Sequence, residues 1–154
     1  MKPHNSTESE LISLASKIAK TLKGGEIIEL IGDVGAGKTT FTRALIQSLG
    51  VKDEIQSPTY TISNRYQLPD TSKNIEIVHY DFYRLTEPGI IQNELAETIQ
   101  NGRAVVILEW SDIVENTLPS DRLTVEITPT SELTRMLTFK VGGQNSRRLL
   151  EGTT

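Results

Sequence analysis

Apolar positions recur along the chain with two different periods, and their alternation outlines a domain. Leu11, Leu14, Ala15, Ile18, Ala19 and Leu22 fall at i, i+3, i+4 spacing, which predicts an amphipathic helix opened by a Thr7–Glu10 capping box and ended by Gly24-Gly25. Residues 26–31 then read as an apolar strand. Phe41, Ala44, Leu45, Ser48 and Leu49 return to helical spacing, with Gly50 as the expected stop. Residues 60–66 alternate Thr, Tyr and Ile with polar residues, and 75–80 form a second strand-like run. The stretch 68–74 between them holds Pro69, Asp70 and Asn74, so 60–80 reads as a hairpin.

Further on, Ile90, Ile91, Glu94, Leu95, Thr98 and Ile99 predict a helix that starts near residues 86–88 and stops at Asn101-Gly102. Residues 104–108 are continuously apolar, as in a strand buried on both faces of a parallel sheet. A short helix over 111–116 and a second hairpin, 122–128 with 134–141, complete the pattern. The tail 142–154 is a candidate flexible segment with a short basic helix at Arg147-Arg148. This order of elements predicts a three-layer α/β domain, its sheet mostly parallel with antiparallel hairpin additions.

Composition narrows the class. A chain of 154 residues suits one domain, residues 1–154, with a proper core. No apolar run approaches a bilayer span, and Lys2 and His4 followed by Glu8 and Glu10 do not read as a signal peptide. The absence of cysteine excludes disulfides and thiolate chemistry and suits the cytoplasm. A net charge of −4 gives no electrostatic footprint for direct nucleic-acid binding.

The chemistry begins where the first apolar strand ends. Gly32-Asp33-Val34-Gly35-Ala36-Gly37-Lys38-Thr39 fills the pattern G-x-x-x-x-G-K-[ST], a P-loop between a strand and a helix. The glycines let successive backbone N–H groups from Asp33 to Thr40 face phosphate oxygens, and Lys38 adds a point charge for the β- and γ-phosphates. The Thr39 hydroxyl is placed for Mg²⁺, with Thr40 a second-line hydroxyl. Two acids, Asp81 and Glu109, stand at the ends of predicted strands, and ligands in such sheets sit at those carboxyl ends. Either acid could hold Mg²⁺ or orient an attacking water; the preferred assignment gives Asp81 the metal and Glu109 the water. Thr59 is a candidate sensor of γ-phosphate and Mg²⁺. His79 reads as a structural hydrogen-bonding residue, Arg84 as a phosphate contact or a brace for Asp81, and Trp110 as a core residue or partner anchor. The first helix reads as scaffold, with a nucleobase-lining role as the alternative.

Taken together, residues 32–40, Ser57-Pro58-Thr59-Tyr60, His79-Tyr80-Asp81-Phe82-Tyr83-Arg84 and Ile107-Leu108-Glu109-Trp110 resemble the bacterial TsaE (YjeE-like) family over nearly the whole chain. The resemblance implies a P-loop ATPase of weak intrinsic activity that acts with ATP and Mg²⁺ in tRNA threonylcarbamoyladenosine formation. It also implies docking on a TsaB–TsaD pair, with tRNA reached only indirectly. By the same resemblance Lys38 and Thr39 take the phosphate and Mg²⁺ positions, Thr59 the switch, and Asp81 and Glu109-Trp110 the acidic motifs. The segment after Arg84, Thr86-Glu87-Pro88-Gly89, departs from the family pattern. No Asn-Lys-x-Asp element for reading guanine is present, which favours ATP. A small-molecule kinase and a non-hydrolysing nucleotide switch are the competing readings.

Overall fold

The computed structural model describes residues 1–153. A short strand β1 (His4–Thr7) leads into α1 (Glu8–Ala19), and the capping box closes: the Glu10 N–H donates to Thr7 Oγ1 at 3.3 Å and the Thr7 N–H donates to the Glu10 carboxylate at 2.8 Å. β2 (Ile27–Ile31) runs through the glycine loop into α2 (Lys38–Ser48). β3 (Ser63–Gln67) and β4 (Glu76–Asp81) form the first hairpin, and α3 (Ile91–Gln100) returns the chain to β5 (Ala104–Glu109). A 3-10 segment, Ser111–Thr117, precedes the hairpin β6 (Leu123–Pro129) and β7 (Thr134–Val141) and the terminal α4 (Gln144–Arg148).

The strands make one sheet in the order β1-β7-β6-β2-β5-β4-β3. β6, β2, β5 and β4 are parallel neighbours, and the outer pairs are antiparallel. This is the expected three-layer arrangement. β5 explains its own apolar run: Val105 and Ile107 join the core under α1 and α2, while Val106 and Leu108 join the core under α3. Full burial of each such side chain is worth roughly 1.5–3 kcal/mol. Among the described residues no helix is long and apolar enough to cross a membrane.

Four local features depart from expectation. β1 is an edge strand held by backbone pairing to β7, and its residues His-Asn-Ser-Thr carry no apolar alternation that could announce it. β3 starts at Ser63, because the chain turns before it: the Ile62 N–H donates to Pro58 O at 2.6 Å and Ile62 sits at φ +69°. α3 starts at Ile91, since Gly89 at φ +51° interrupts helical geometry. The tail is packed from 142 to 153 rather than loose. Asp121 accepts the Asn145 and Ser146 N–H groups at the start of α4, Leu149 and Leu150 are buried, and Arg148 pairs with the buried Glu26 at 2.7 Å.

One buried charge in β2 ties the sheet to the segment after β5. Glu29 accepts Ser111 Oγ–H at 2.6 Å, Arg122 Nε–H at 2.9 Å and Thr124 Oγ1–H at 2.9 Å. Burial pushes its carboxyl up, but those three hydrogen bonds and the Arg122 charge outweigh burial and leave it below the ordinary value. A depressed carboxylate contributes stability above its unfolded-state pKa and loses it as the pH falls through the folded one. Glu29→Gln, which leaves Glu115 at 2.6 Å as the one carboxylate on Arg122 among the described residues, is therefore expected to cost about 3 kcal/mol at neutral pH. Urea denaturation should show the deficit shrinking as acid protonates wild-type Glu29.

Candidate active site

The parallel register levels the strand ends. Leu30 pairs with Glu109 across β2 and β5, and Asp81 pairs with Glu109 across β4 and β5. The glycine loop therefore leaves β2 beside both acids. Gly37 at φ +121° opens α2 with no side-chain cap, so the first N–H groups of the helix face the cleft. Gly32 is fixed by crowding instead, since a Cβ there would lie 2.6 Å from the Ile127 carbonyl oxygen of β6.

A cavity of about 410 Å³ collects Val34, Gly35, Gly37, Lys38, Thr39 and Thr40 from the loop and helix with Thr59, Asp81 and Glu109. Two expected members stand apart. Ala36 is buried and its N–H donates to Asp33 O at 3.0 Å, while Asp33 lines a neighbouring cavity of about 240 Å³ beside Trp110.

Lys38 is only 6% exposed. Its ammonium donates to the Gly32 carbonyl and, at 3.3 Å, to the Asp33 carbonyl. Burial pushes its pKa below the ordinary lysine value, although Glu109, Asp81 and Asp33 pull the other way. Trp110 is half-buried and packs against the edge of the core under α3, as the core reading expects, rather than standing free as an anchor. Its backbone is left-handed at φ +55°, an arrangement costing about 1–3 kcal/mol. The half-buried indole lies 4.4 Å from the Lys38 ammonium and 4.9 Å from the Tyr83 ring, so it covers the lysine.

The acids are held differently. Asp81 Oδ2 accepts the Ser57 hydroxyl at 3.0 Å and the Thr59 hydroxyl at 2.9 Å, and Oδ1 accepts the Tyr83 N–H at 2.9 Å. Glu109 is 2% exposed and meets His79 Nε2 at 2.8 Å. Arg84 braces neither acid. Its guanidinium stacks 4.0 Å above the ring of Tyr60, which is 82% exposed.

Two pocket residues carry no signal in the sequence. Arg135 projects from β7 to the glycine loop, where its Nη1 would lie 2.7 Å from a Cβ placed on Gly37, and its buried Nε has no hydrogen-bond partner among the described residues. Nothing marks it in sequence, because β7 reaches the site only through the sheet order. Glu8, the first residue of α1, also lines the cavity. With Thr40 it opens onto a groove between α1 and α2, about 380 Å³ in volume, along Ile12, Arg43 and Gln47. The first helix is thus scaffold on one face and cleft wall at its start.

A family model described as "Threonylcarbamoyl adenosine biosynthesis protein TsaE" matches residues 5–137. The chain belongs to the TsaE family. Among its members, the tRNA threonylcarbamoyladenosine biosynthesis protein TsaE of Bacillus subtilis is 31% identical over 142 residues, covering 92% of this chain and 86% of the relative. The protein of that name from Aquifex aeolicus is 38% identical over 108 residues, covering 69% and 73%. A crystal structure of Bacillus subtilis YdiB superposes with a TM-score of 0.77 at 27% identity, covering 98% of this chain and 92% of that one. The TsaE match spans the loop, both acids and Arg135, and ends before α4.

The loop geometry makes a direct prediction. In Gly37→Ala the new Cβ meets Arg135 Nη1 at 2.7 Å and Leu11 Cδ2 at 3.2 Å on a left-handed backbone. A loss of about 1–3 kcal/mol in urea-measured stability is expected.

Proposed function

We propose that this chain is the ATP-binding, weakly hydrolysing subunit of tRNA threonylcarbamoyladenosine formation, working in the cytoplasm through nucleotide-dependent docking on TsaB–TsaD. The names of the relatives support the pathway. The observation that carries the chemistry is the convergence of Lys38, Thr39, Asp81 and Glu109 on one cavity at the start of α2.

The donor set suits both groups the reading requires. A helix start without a cap, a lysine ammonium and a guanidinium with an orphaned Nε make an anion site. The Thr39 hydroxyl and the Asp81 and Glu109 carboxylates are hard oxygen donors of the kind Mg²⁺ takes. Held there, Mg²⁺ would supply neutralisation of phosphate charge.

Lys38 and Arg135 hold phosphate oxygens, and Thr39 with Asp81 hold the metal. Glu109 orients the attacking water and takes its proton. The groove past Glu8 and Thr40 receives the nucleoside, with Ile12 offering an apolar wall and Arg43 and Gln47 polar contacts. Trp110 excludes water from Lys38. Ser57 and Thr59 read the state of Asp81 and pass it to the exposed Tyr60. With a net charge of −4 the chain reaches tRNA through its partners.

An ATPase assay with and without TsaB–TsaD tests the reading. Lys38→Ala should weaken ATP binding by at least about tenfold, a loss of roughly 1.4 kcal/mol. Glu109→Gln should bind ATP nearly normally and lose hydrolysis by roughly 100-fold or more, whereas Asp81→Asn should raise the Mg²⁺ requirement. Normal turnover in Glu109→Gln would remove that residue from the chemistry.

Coupling to the partners has its own readout. Calorimetry should find tighter ATP binding in the presence of TsaB–TsaD, and by linkage ATP must tighten docking by the same factor. Thr59→Ala should reduce that factor while leaving the fold and most intrinsic ATP binding intact. Equal ATP affinity with and without the partners in the wild type would sink the switch.

A further inference from the structure

Glu109 is held in place by a single side chain. His79 lies two residues before Asp81 on β4, is 1% exposed, and brings Nε2 to 2.8 Å from Glu109 Oε2. A carboxylate only accepts, so Nε2 carries the proton and donates. The other ring nitrogen, Nδ1, is buried with no partner among the described residues. Glu109 Oε1 likewise has no hydrogen bond there, and Glu109 lines the phosphate cavity.

Elsewhere in the fold, buried acids are satisfied more fully. Glu29 receives three side-chain donors, and Glu26 receives two backbone N–H groups and Arg148. A histidine kept for core stability alone would use both ring nitrogens, since an orphaned buried polar atom is a liability. His79 leaves one without a partner among the described residues and commits the other to a buried acid that lines the cleft.

We propose that His79 is a positioning residue: its Nε2–H fixes Glu109 Oε2 and thereby aims Oε1 into the phosphate cavity. The inference rests on the proposed ATPase function, because it assigns Glu109 work to do there. Outer partners of this kind orient a functional side chain without touching substrate, and their removal typically costs 10–100-fold.

The test compares wild type, His79→Leu and His79→Gln in ATP turnover and in affinity for a non-hydrolysable ATP analogue. His79→Leu should lower kcat roughly 10–100-fold while analogue affinity stays within about threefold. His79→Gln, whose amide nitrogen can donate to the same oxygen, should recover most of that loss. A separate readout needs no nucleotide. The chain has only two histidines, so ¹⁵N ring spectra of His79 can be assigned by difference from His79→Gln. They should show Nε2 protonated in the wild type and a mixed tautomer in Glu109→Ala. Wild-type kcat in His79→Leu, or equally slow His79→Leu and His79→Gln, overturns the proposal. If His79→Leu does not fold, ring shifts unchanged by Glu109→Ala overturn it. A wild type that hydrolyses no ATP even with TsaB–TsaD overturns the ATPase reading instead, and the ring spectrum then still reports whether Glu109 holds the tautomer.

Discussion

The site depends on the register of three parallel strands. With Leu30, Glu109 and Asp81 level across β2, β5 and β4, alternation sends Ile28, Leu30, Ile77, Val105 and Ile107 toward α1 and α2. His79, Asp81 and Glu109 share that parity, so they face the side from which α2 springs. A slip of one residue in either pairing would present Tyr80 or Leu108 to the loop instead and turn the acids into the opposite core. Apolar burial on both faces of β5 therefore fixes the chemistry as firmly as it fixes the fold. Gly32, pressed against the Ile127 carbonyl, anchors the loop to that register from the β6 side.

Within this frame charges are gathered and held by neutral partners. Burial pushes the Lys38 pKa down, and loop carbonyls and the Trp110 ring face its ammonium. Asp81 spends one oxygen on two hydroxyls and the other on a backbone N–H. Arg135 brings a second cation to the same loop with its Nε orphaned. Each of these hydrogen bonds joins a charged group to a neutral partner, carbonyls for the ammonium and hydroxyls and an N–H for the carboxylate. The left-handed Trp110 backbone is held through its neighbour Ser111, which donates to Glu29 inside the sheet, so the network in β2 also fixes the cover over Lys38.

How much of this is legible in the sequence depends on where each signal lives. The helices of the α1–α2 layer and the central strands are legible because their apolar period is set by burial, and the loop because Gly32, Gly37, Lys38 and Thr39 are adjacent in sequence. The acids are legible as strand ends. β1 is not, since an edge strand of polar residues is specified by backbone pairing alone. Arg135, Glu8 and the His79–Glu109 contact are not legible either. Each depends on sheet order or side-chain reach between elements distant in sequence. The tail reads as loose because Asp121 and Glu26, the groups that order it, lie more than twenty residues away.

The corner from Ser57 to Ile62 is tied to Asp81 by three hydrogen bonds. Ser57 and Thr59 donate to the carboxylate, and the Asp81 N–H donates to the Ile62 carbonyl at 2.8 Å. Ile62 meanwhile holds a left-handed backbone, a cost of about 1–3 kcal/mol for a β-branched residue that only the surrounding contacts sustain. A cation drawn to Asp81 Oδ2 would compete with both hydroxyls for the same lone pairs. Without those donors the strained turn would keep fewer restraints, and its Tyr60 lies on the surface against Arg84 from beyond β4. Hydrogen bonds to a charged group are worth about 1.5–3 kcal/mol each, so exchanging one or two of them spans the 1–3 kcal/mol typical of coupling between sites. The backbone bonds through Ile62, from its N–H to Pro58 O at 2.6 Å and from the Asp81 N–H to its carbonyl, do not involve the carboxylate, and β3 and β4 pair independently of it through Ser63–Gln67.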